Sequence, residues 1–501
     1  MSEPFYITTA ISYPNGKPHI GHAYEAIAAD AMARFRRAQG RDVRLVTGTD
    51  EHGLKMSQTA RAQGRDTKEF ADEMSGYFRD MCQGLNISYD AFVRTTEPRH
   101  YEASQKVWKA MEANGDLYLD RYEGWYSVRD EAFYDEDELV AGEGGEQLSP
   151  QGTPVEWTVE ETWFFRLSKY QEPLLALYRD NPDFIRPDSR RNEVVRFVEG
   201  GLKDLSVSRT SFDWGVPVPW SPGHVMYVWV DALTTYMTGV GFADDRESYD
   251  RFWPADVHLI GKDIVRFHAV YWPAFLMSAG LKLPRQVFGH GFLLAKGEKM
   301  SKSLGNVVDP MELAERYGVD PLRYFLLREV SFGQDGSYSN EAIVNRVNAE
   351  LANSFGNLAQ RSLSMVFKNL GGVLPAAGQA IDDQALLDEV RQACETLEVE
   401  FGRFAFSAGL EAWMSAVFAC NQYIDTAAPW VLKKSDPERM AEVLGTLVVA
   451  IRILAEAVEP IIPAAAKKLI DLIDGGRDGA PIDQPMPIFP RLELQEEEEA
   501  A

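Results

Sequence analysis

Residues 5–40 restrict the fold more than any other stretch, because they combine a short apolar run, a loop that breaks regular structure, and a helical pattern. Residues 5–10 read as a buried strand. Pro14, Asn15, Gly16 and Pro18 end it. From residue 19 to 39 the alanines, Met32 and Phe35 favour a helix, which Gly40 terminates. His19 and His22 then lie one turn apart on one face, at a helix N-terminus whose free N–H groups and dipole favour an anion. Two imidazoles there can donate to phosphate oxygens, and Gly21 lets a flat base approach the backbone. The arrangement reads as a phosphate cradle at a strand-to-helix turn of a nucleotide-binding α/β fold. A histidine is more often a surface or satisfied core residue than a ligand, so this pair alone does not decide function.

At 501 residues the chain exceeds one typical core, and two to four domains are expected. No apolar stretch approaches the roughly 20 residues that span a bilayer, and no basic-then-apolar leader opens the sequence. Cys82, Cys394 and Cys420 are far apart and read as small buried hydrophobes in a reducing compartment, the cytoplasm. A formal net charge of −25 argues against a generic nucleic-acid binder. It leaves room for an RNA held by shape and by bases on a local face. Residues 496–499 are all glutamate and read as a solvated tail.

After the first helix, residues 42–48 read as the next strand, with Asp50 at its carboxyl end, where ligands collect in open α/β sheets. Asp50 is either a helix cap or a carboxylate for a substrate ammonium. Residues 60–114 have helical spacing broken by Gly64 and Gly84. Residues 116–216 are aromatic and turn-rich and read as a small inserted domain, with a basic clump at 186–191 that is either a solvated face or an RNA contact. Trp229, Ala232 and Tyr236 then follow an apolar strand at helical spacing, and Ile264, Phe267 and His268 share a helix face after a strand at 257–260. With Asp50 and Tyr13 they can form an apolar pocket with one carboxylate, suited to a small amphiphilic substrate.

Residues 287–295 read as another strand, leading into a glycine-flanked loop with Lys299 and Lys302. These lysines are solvated turn residues or, paired with a phosphate cradle, cations closing over a triphosphate. Asp309-Pro310 and Asp320-Pro321 each place a cap before a helix-starting proline. From residue 341 onward the pattern is helical only. Leu386, Leu387, Val390, Cys394, Leu397 and Phe401 form one stripe of a helix bundle.

The pair His19-Ile20-Gly21-His22 and Lys299-Met300-Ser301-Lys302-Ser303, with an insertion between, resembles the signatures of class I aminoacyl-tRNA synthetases. Four further segments resemble bacterial methionyl-tRNA synthetases over essentially the whole chain: Ile11-Ser12-Tyr13-Pro14-Asn15-Gly16, Thr49-Asp50-Glu51-His52-Gly53, Tyr227-Val228-Trp229-Val230-Asp231-Ala232, and Gly261-Lys262-Asp263-Ile264-Val265-Arg266-Phe267-His268. The resemblance implies a Rossmann-like parallel-sheet catalytic domain with an inserted connective domain, followed by an all-α bundle. The corresponding segments are 1–115 and 217–285 (catalytic), 116–216 (insertion), 286–345 (lysine loop and stem contact), 346–490 (anticodon binding) and 491–501 (acidic tail).

It also implies a ligase using L-methionine, ATP with Mg²⁺, and tRNA(Met). His19, Gly21, His22, Lys299 and Lys302 would hold ATP. Asp50 would bind the methionine ammonium with help from the Ile11 backbone. Tyr13, Trp229, Ala232, Tyr236, Ile264, Phe267 and His268 would enclose the thioether. Asn357, Arg361 and Trp430 would read the anticodon; the alternative for Trp430 is a core filler at a helix start. Many relatives carry a zinc knuckle in the insertion. Here Ser127, Asp130, Ser149 and Gly152 stand at those places and no cysteine lies between Cys82 and Cys394, so the expectation is a metal-free insertion held by aromatic residues.

The competing readings are weaker. Leucyl, isoleucyl or valyl enzymes should carry a much larger insertion, and a cysteinyl enzyme needs thiolate zinc ligands. A non-catalytic tRNA-binding relative should have lost His22, Lys302 or Asp50. The sequence stops soon after the bundle, without the appended domain that dimerises some relatives, which favours a monomer.

Overall fold

β1 (Pro4–Thr9) opens the chain in the middle of a sheet, not at its edge. A computed structural model describes residues 2–130, 132–142, 145–295, 298–299 and 307–494. Its contacts divide the chain into two compact units, one of residues 1–18, 40–83 and 87–290, the other of residues 19–39, 84–86 and 291–501.

The first unit is built on a six-stranded sheet ordered β3 (Ala91–Arg94), β2 (Asp42–Thr49), β1, Val257–Gly261, Val287–His290 and Ile185–Arg186, with every adjacent pair parallel. Its strands are buried along most of their length, as expected of a parallel sheet covered on both faces. Gly48 is obligatory at the β2–β3 approach, since a Cβ there would lie 1.9 Å from the Val93 carbonyl oxygen. The chain builds β2 and β3 on one side of β1 and returns on the other side with Val257–Gly261. The gap between β1 and that strand is the topological switch point, outside whose carboxyl ends ligands bind. Residues 11–13 follow β1, Asp50 follows β2, and residues 264–268 follow Val257–Gly261, so all three segments leave the sheet at its carboxyl edge.

Several sequence expectations need correction. The 60–114 stretch contains β3 between the helices Thr67–Gly84 and Pro98–Ala113; four residues are too short to display a period, and pairing with β2 selects the strand. The 287–295 run is two strands in different sheets, Val287–His290 and Leu293–Ala295. Ile264, Phe267 and His268 do not share a regular helix: a 3₁₀ turn, Lys262–Ile264, is followed by a π-helical segment, Phe267–Tyr271. Such wide turns recur at functional sites.

Within 116–216, an antiparallel sheet of Leu117–Ser127, Ala132–Tyr134, Glu156–Phe165 and Leu205–Ser206 is accompanied by the helices Gln171–Asp180 and Asp188–Glu199. The basic clump is paired locally. Arg186 meets Asp183 and Asp188, and Arg190 meets Glu193, which supports the solvated-face reading.

The second unit collects α1 (Ile20–Ala38) with the helices that follow residue 309. Arg36 and Arg37 sit in the last turn of α1, where the dipole favours cations, and Gly40 follows at φ +79°. The predicted stripe from Leu386 to Phe401 is buried along the helix Ile381–Phe401. Asp309 caps Pro310–Tyr317 as expected, accepting from the Met311 N–H at 2.8 Å. Asp320 does not cap its own helix, which begins at Val319. It is buried and accepts instead from the Ala465 N–H at 2.6 Å, capping Pro463–Asp474 from another part of the chain. Arg323 is also fully buried: it donates to Asp30 of α1 at 2.7 Å and to the carbonyls of Leu85, Pro460 and Ile461. A ten-residue π-helix, Val347–Gly356, precedes Asn357–Asn369, a phase change that no apolar spacing announces.

Candidate active site

The N-terminus of α1 is organised by its two histidines. His19 is the N-cap: its Nδ1 accepts from the Gly21 N–H at 3.0 Å, and His22 Nδ1 accepts from the His19 N–H at 3.1 Å. The rings are 3.9 Å apart. With each Nδ1 serving as acceptor, the neutral-ring proton of both histidines is on Nε2, so both present a donor at a helix end that favours anions. Gly21 has a role the sequence reading missed: a Cβ there would lie 2.8 Å from His19 Cε1, so the capping ring needs a glycine beneath it. The first N–H of α1, from Ile20, is bonded at 2.9 Å to the carbonyl of Val308, just beyond the lysine motif. Lys302 lies outside the described residues. The Lys299 backbone is in a two-residue strand paired with Leu294.

In the first unit, five of the residues assigned to the thioether wall touch one another. Trp229 and Phe267 stack with centroids 3.8 Å apart at 4°, and His268 meets the edge of Trp229. Tyr236 hydroxyl and His268 Nε2 are 2.6 Å apart, and His268 Nδ1 is 2.9 Å from the Ile264 carbonyl. A carbonyl can only accept, so Nδ1 carries the proton and Tyr236 donates to Nε2. Ala232 is buried on the same helix, Val228–Thr238.

Burial pushes His268 from its ordinary 6.5 down to about 4, against the opposing Ile264 bond, and burial lowers His258 as well. His268 is therefore a neutral imidazole at physiological pH. Because the unfolded chain binds protons near pH 6.5 and the native site does not, the stability from a neutral His268 is complete above pH 6.5. It is lost as pH falls towards about 4, by roughly 3 kcal/mol in all. Thermal midpoints at pH 7.5 and 5 should fall less in His268→Gln than in the unsubstituted chain, with His258 supplying the remainder; an equal fall would contradict this.

The loop bearing Asp50 is laced to the loop after β1. The Asp50 N–H donates to the Ser12 carbonyl at 2.8 Å, and the Ser12 N–H to Gly48 at 3.0 Å, which sets Ile11 and Tyr13 beside Asp50. Tyr13 packs with Trp214 on an apolar cluster around Met56 and Phe70. The neighbours of Asp50 are anchored by buried polar groups that sequence reasoning did not assign. Glu51 accepts from Arg94 Nε and Nη2 at 2.6 and 2.8 Å and from Thr49 and Thr96. His52 Nδ1 is 2.6 Å from Asp231 Oδ2, and His100 Nε2 is 2.7 Å from Asp231 Oδ1. Burial alone would raise the Asp231 pKa, but the two imidazoles hold it below the usual carboxylate range. One signal was available: Asp231 is the sole charge in an otherwise apolar run from Val225 to Leu233.

In the insertion, the residues expected to replace zinc ligands form a cluster around one carboxylate. Asp130 Oδ2 accepts from Ser149 Oγ at 2.6 Å, Thr153 Oγ1 at 2.5 Å and the Tyr134 hydroxyl at 3.1 Å, while Ser127 Oγ lies 2.7 Å from Thr153 Oγ1. The aromatic pairs Trp125–Trp157 and Tyr118–Phe164 are present as well. The expectation of aromatic support alone is thus corrected: a hydroxyl–carboxylate hub ties the turn at 127–130 to that at 149–153. Thr153, not Gly152, supplies the fourth group. In the bundle, Arg361 lies over the Trp430 ring at 5.6 Å and pairs with Asp425 at 2.8 Å. Trp430 is 45% exposed, so it is not a core filler, and Asn357 is exposed one turn before Arg361.

A family model described as tRNA synthetases class I (M) matches residues 5–363, and one described as the anticodon binding domain of methionyl tRNA ligase matches residues 374–486. A curated methionine–tRNA ligase of Mesorhizobium japonicum is 59% identical over 472 residues, covering 94% of this chain and 91% of that protein. One from Mycobacterium tuberculosis is 57% identical over 477 residues, covering 94% and 92%. A solved structure of Mycobacterium tuberculosis methionyl-tRNA synthetase in complex with methionyl-adenylate superposes with a TM-score of 0.94 at 54% identity, covering 98% of this chain and 100% of that one. The likeness runs through both units, and the chain belongs to the class I tRNA synthetases of the methionyl kind, the family its motifs resemble.

Proposed function

We infer that the chain activates L-methionine with ATP, giving methionyl-adenylate and pyrophosphate, and then transfers the methionyl group to tRNA(Met). The methionine carboxylate itself attacks the α-phosphorus, so no protein nucleophile is needed. Catalysis consists of positioning and of stabilising charge on the phosphates. The observation that carries the nucleotide half is the start of α1, where two Nε2–H donors meet a helix N-terminus bonded to Val308. His19 and His22 hold the triphosphate over Gly21, and Lys302, with Lys299, neutralises charge as pyrophosphate leaves.

Among the described residues no group of three or more His, Cys, Asp or Glu is placed to hold a metal ion. Mg²⁺ would arrive on the ATP phosphates and would there supply charge neutralisation. Asp50 receives the ammonium beside the Ile11 backbone. Tyr13, Trp229, Ala232, Tyr236, Ile264, Phe267 and His268 enclose the thioether. Sulfur against aromatic rings contributes roughly 0.3–1.5 kcal/mol per contact, so selectivity needs several at once. The test is methionine-dependent ATP–pyrophosphate exchange followed by charging of tRNA(Met); exchange driven equally by leucine or cysteine would overturn the reading.

The bundle reads the anticodon through Trp430, Arg361 and Asn357. Stacking on an aromatic is worth roughly 1–3 kcal/mol per base, so Trp430→Ala should lower tRNA charging by about ten- to a hundredfold while leaving pyrophosphate exchange unchanged. Equal loss of both activities would remove Trp430 from the anticodon site.

The insertion works without zinc, its turns joined through Asp130. Elemental analysis of the purified chain should give far less than one zinc per chain, and chelator treatment followed by dialysis back into Mg²⁺-containing buffer should leave activity intact. Stoichiometric, tightly held zinc would refute this. The chain acts in a reducing compartment, the cytoplasm, a reading with which its three buried free thiols agree, and it acts as a monomer, which a stable dimer in light scattering at micromolar concentration would overturn.

A further inference from the structure

The two ends of the proposed methionine site are carried by different elements. Asp50, for the ammonium, is on the loop after β2; Trp229, Ala232 and Tyr236, for the thioether, are on the helix Val228–Thr238. Asp231 joins them. It is fully buried in the first turn of that helix, with one oxygen on His52 Nδ1 at 2.6 Å and the other on His100 Nε2 at 2.7 Å. His52 is fixed at its far side too, with Nε2 3.1 Å from the Tyr101 hydroxyl, and its ring meets the edge of Trp214. Trp214 in turn closes the loop on itself, donating from its indole to the Glu51 carbonyl at 2.5 Å and accepting from the Gly53 N–H at 3.2 Å. Residues 51–53 are thus clamped, and the bond from His52 to Asp231 is the directional link between this clamp and the pocket helix. A leucine at 231 could fill the space but could not fix that direction, because apolar contacts are non-directional.

We propose that Asp231, acting through His52, is a positioning residue that sets the span between the carboxylate receiving the methionine ammonium and the wall receiving its thioether. The proposal rests on the reading of Asp50 and the aromatic wall given above. Neither Asp231 nor His52 touches substrate; they fix the distance a substrate must match.

The test uses three full-length variants in methionine-dependent ATP–pyrophosphate exchange. Asp231→Asn cannot accept from both imidazoles and should raise the methionine KM by about tenfold or more, with the ATP KM within about twofold. His52→Asn keeps an N–H donor at the place of Nδ1 and should hold the methionine KM within about threefold of the unsubstituted chain. His52→Gln moves the donor to the place of Nε2 and should raise the KM as Asp231→Asn does. Both His52 variants remove the imidazole, so a merely structural role would affect them alike. Equal behaviour of the two, or loss of kcat with an unchanged methionine KM, would overturn the proposal. If Asp231→Asn fails to fold, the His52 pair decides. If the unsubstituted chain shows no methionine-dependent exchange, the underlying function has failed instead.

Discussion

His22→Ala is expected to lower kcat for methionine-dependent pyrophosphate exchange by about 10²–10³-fold while the chain stays folded. The argument follows the two nitrogens separately. Nδ1 accepts from the His19 N–H and so serves the helix start; the ring proton is then on Nε2, the atom assigned to the triphosphate. Losing a preorganised donor to developing negative charge costs about 2.7–4 kcal/mol of barrier. Losing a cap costs only about 1 kcal/mol of stability. His22→Asn separates the two effects, because its side-chain oxygen can replace Nδ1 as the cap acceptor but cannot reach as Nε2 does. It should match the alanine variant in kcat and the unsubstituted chain in thermal midpoint. If His22→Asn kept kcat within about threefold of the unsubstituted chain, the phosphate role of His22 would be lost.

Arg323→Met should destabilise the second unit by about 3–5 kcal/mol, the usual result of removing one partner from a buried ion pair. Arg323 and Asp30 are both fully buried at 2.7 Å, and the same guanidinium holds three backbone carbonyls. Asp30 keeps Arg34 Nε at 2.8 Å, which limits but does not cancel the loss. The double variant Asp30→Leu/Arg323→Met should recover much of the deficit, since apolar pairs of similar volume commonly replace buried ion pairs without loss. Thermal unfolding of the three proteins checks this; a double variant no more stable than the single would show that the lost carbonyl bonds, not the unpaired charge, account for the deficit.

The sequence exposed those parts of the molecule whose structure is set locally. The helix at 20–38, its histidine start and glycine end, and the buried stripe of Ile381–Phe401 all follow from spacing and capping within a few residues. The aromatic wall was also legible, because Trp229, Tyr236, Phe267 and His268 flank strand ends. What escaped depended on pairing across long distances. The four residues of β3 become a strand only beside β2, and Asp320 looks like a local cap until Ala465 arrives beside it. The partners of Asp231 lie 131 and 179 positions away, beyond the reach of any periodicity. Asp130 illustrates a milder case: the sequence showed that thiolate zinc was absent, but only the folded insertion shows that hydroxyls converge on that carboxylate.

The grouping of α1 has a consequence for synthesis. This helix is made early, yet its partners come late: Phe332 against Tyr24, Arg323 on Asp30, Phe401 edge-on to Phe35, and Glu459 near Arg34. While the chain grows on the ribosome, α1 therefore emerges long before these four partners are made. A prematurely released polypeptide ending near residue 290 would carry the six-stranded sheet but leave α1 without these four partners. Aborted products of that length would therefore lack the contacts that brace the helix bearing His19 and His22.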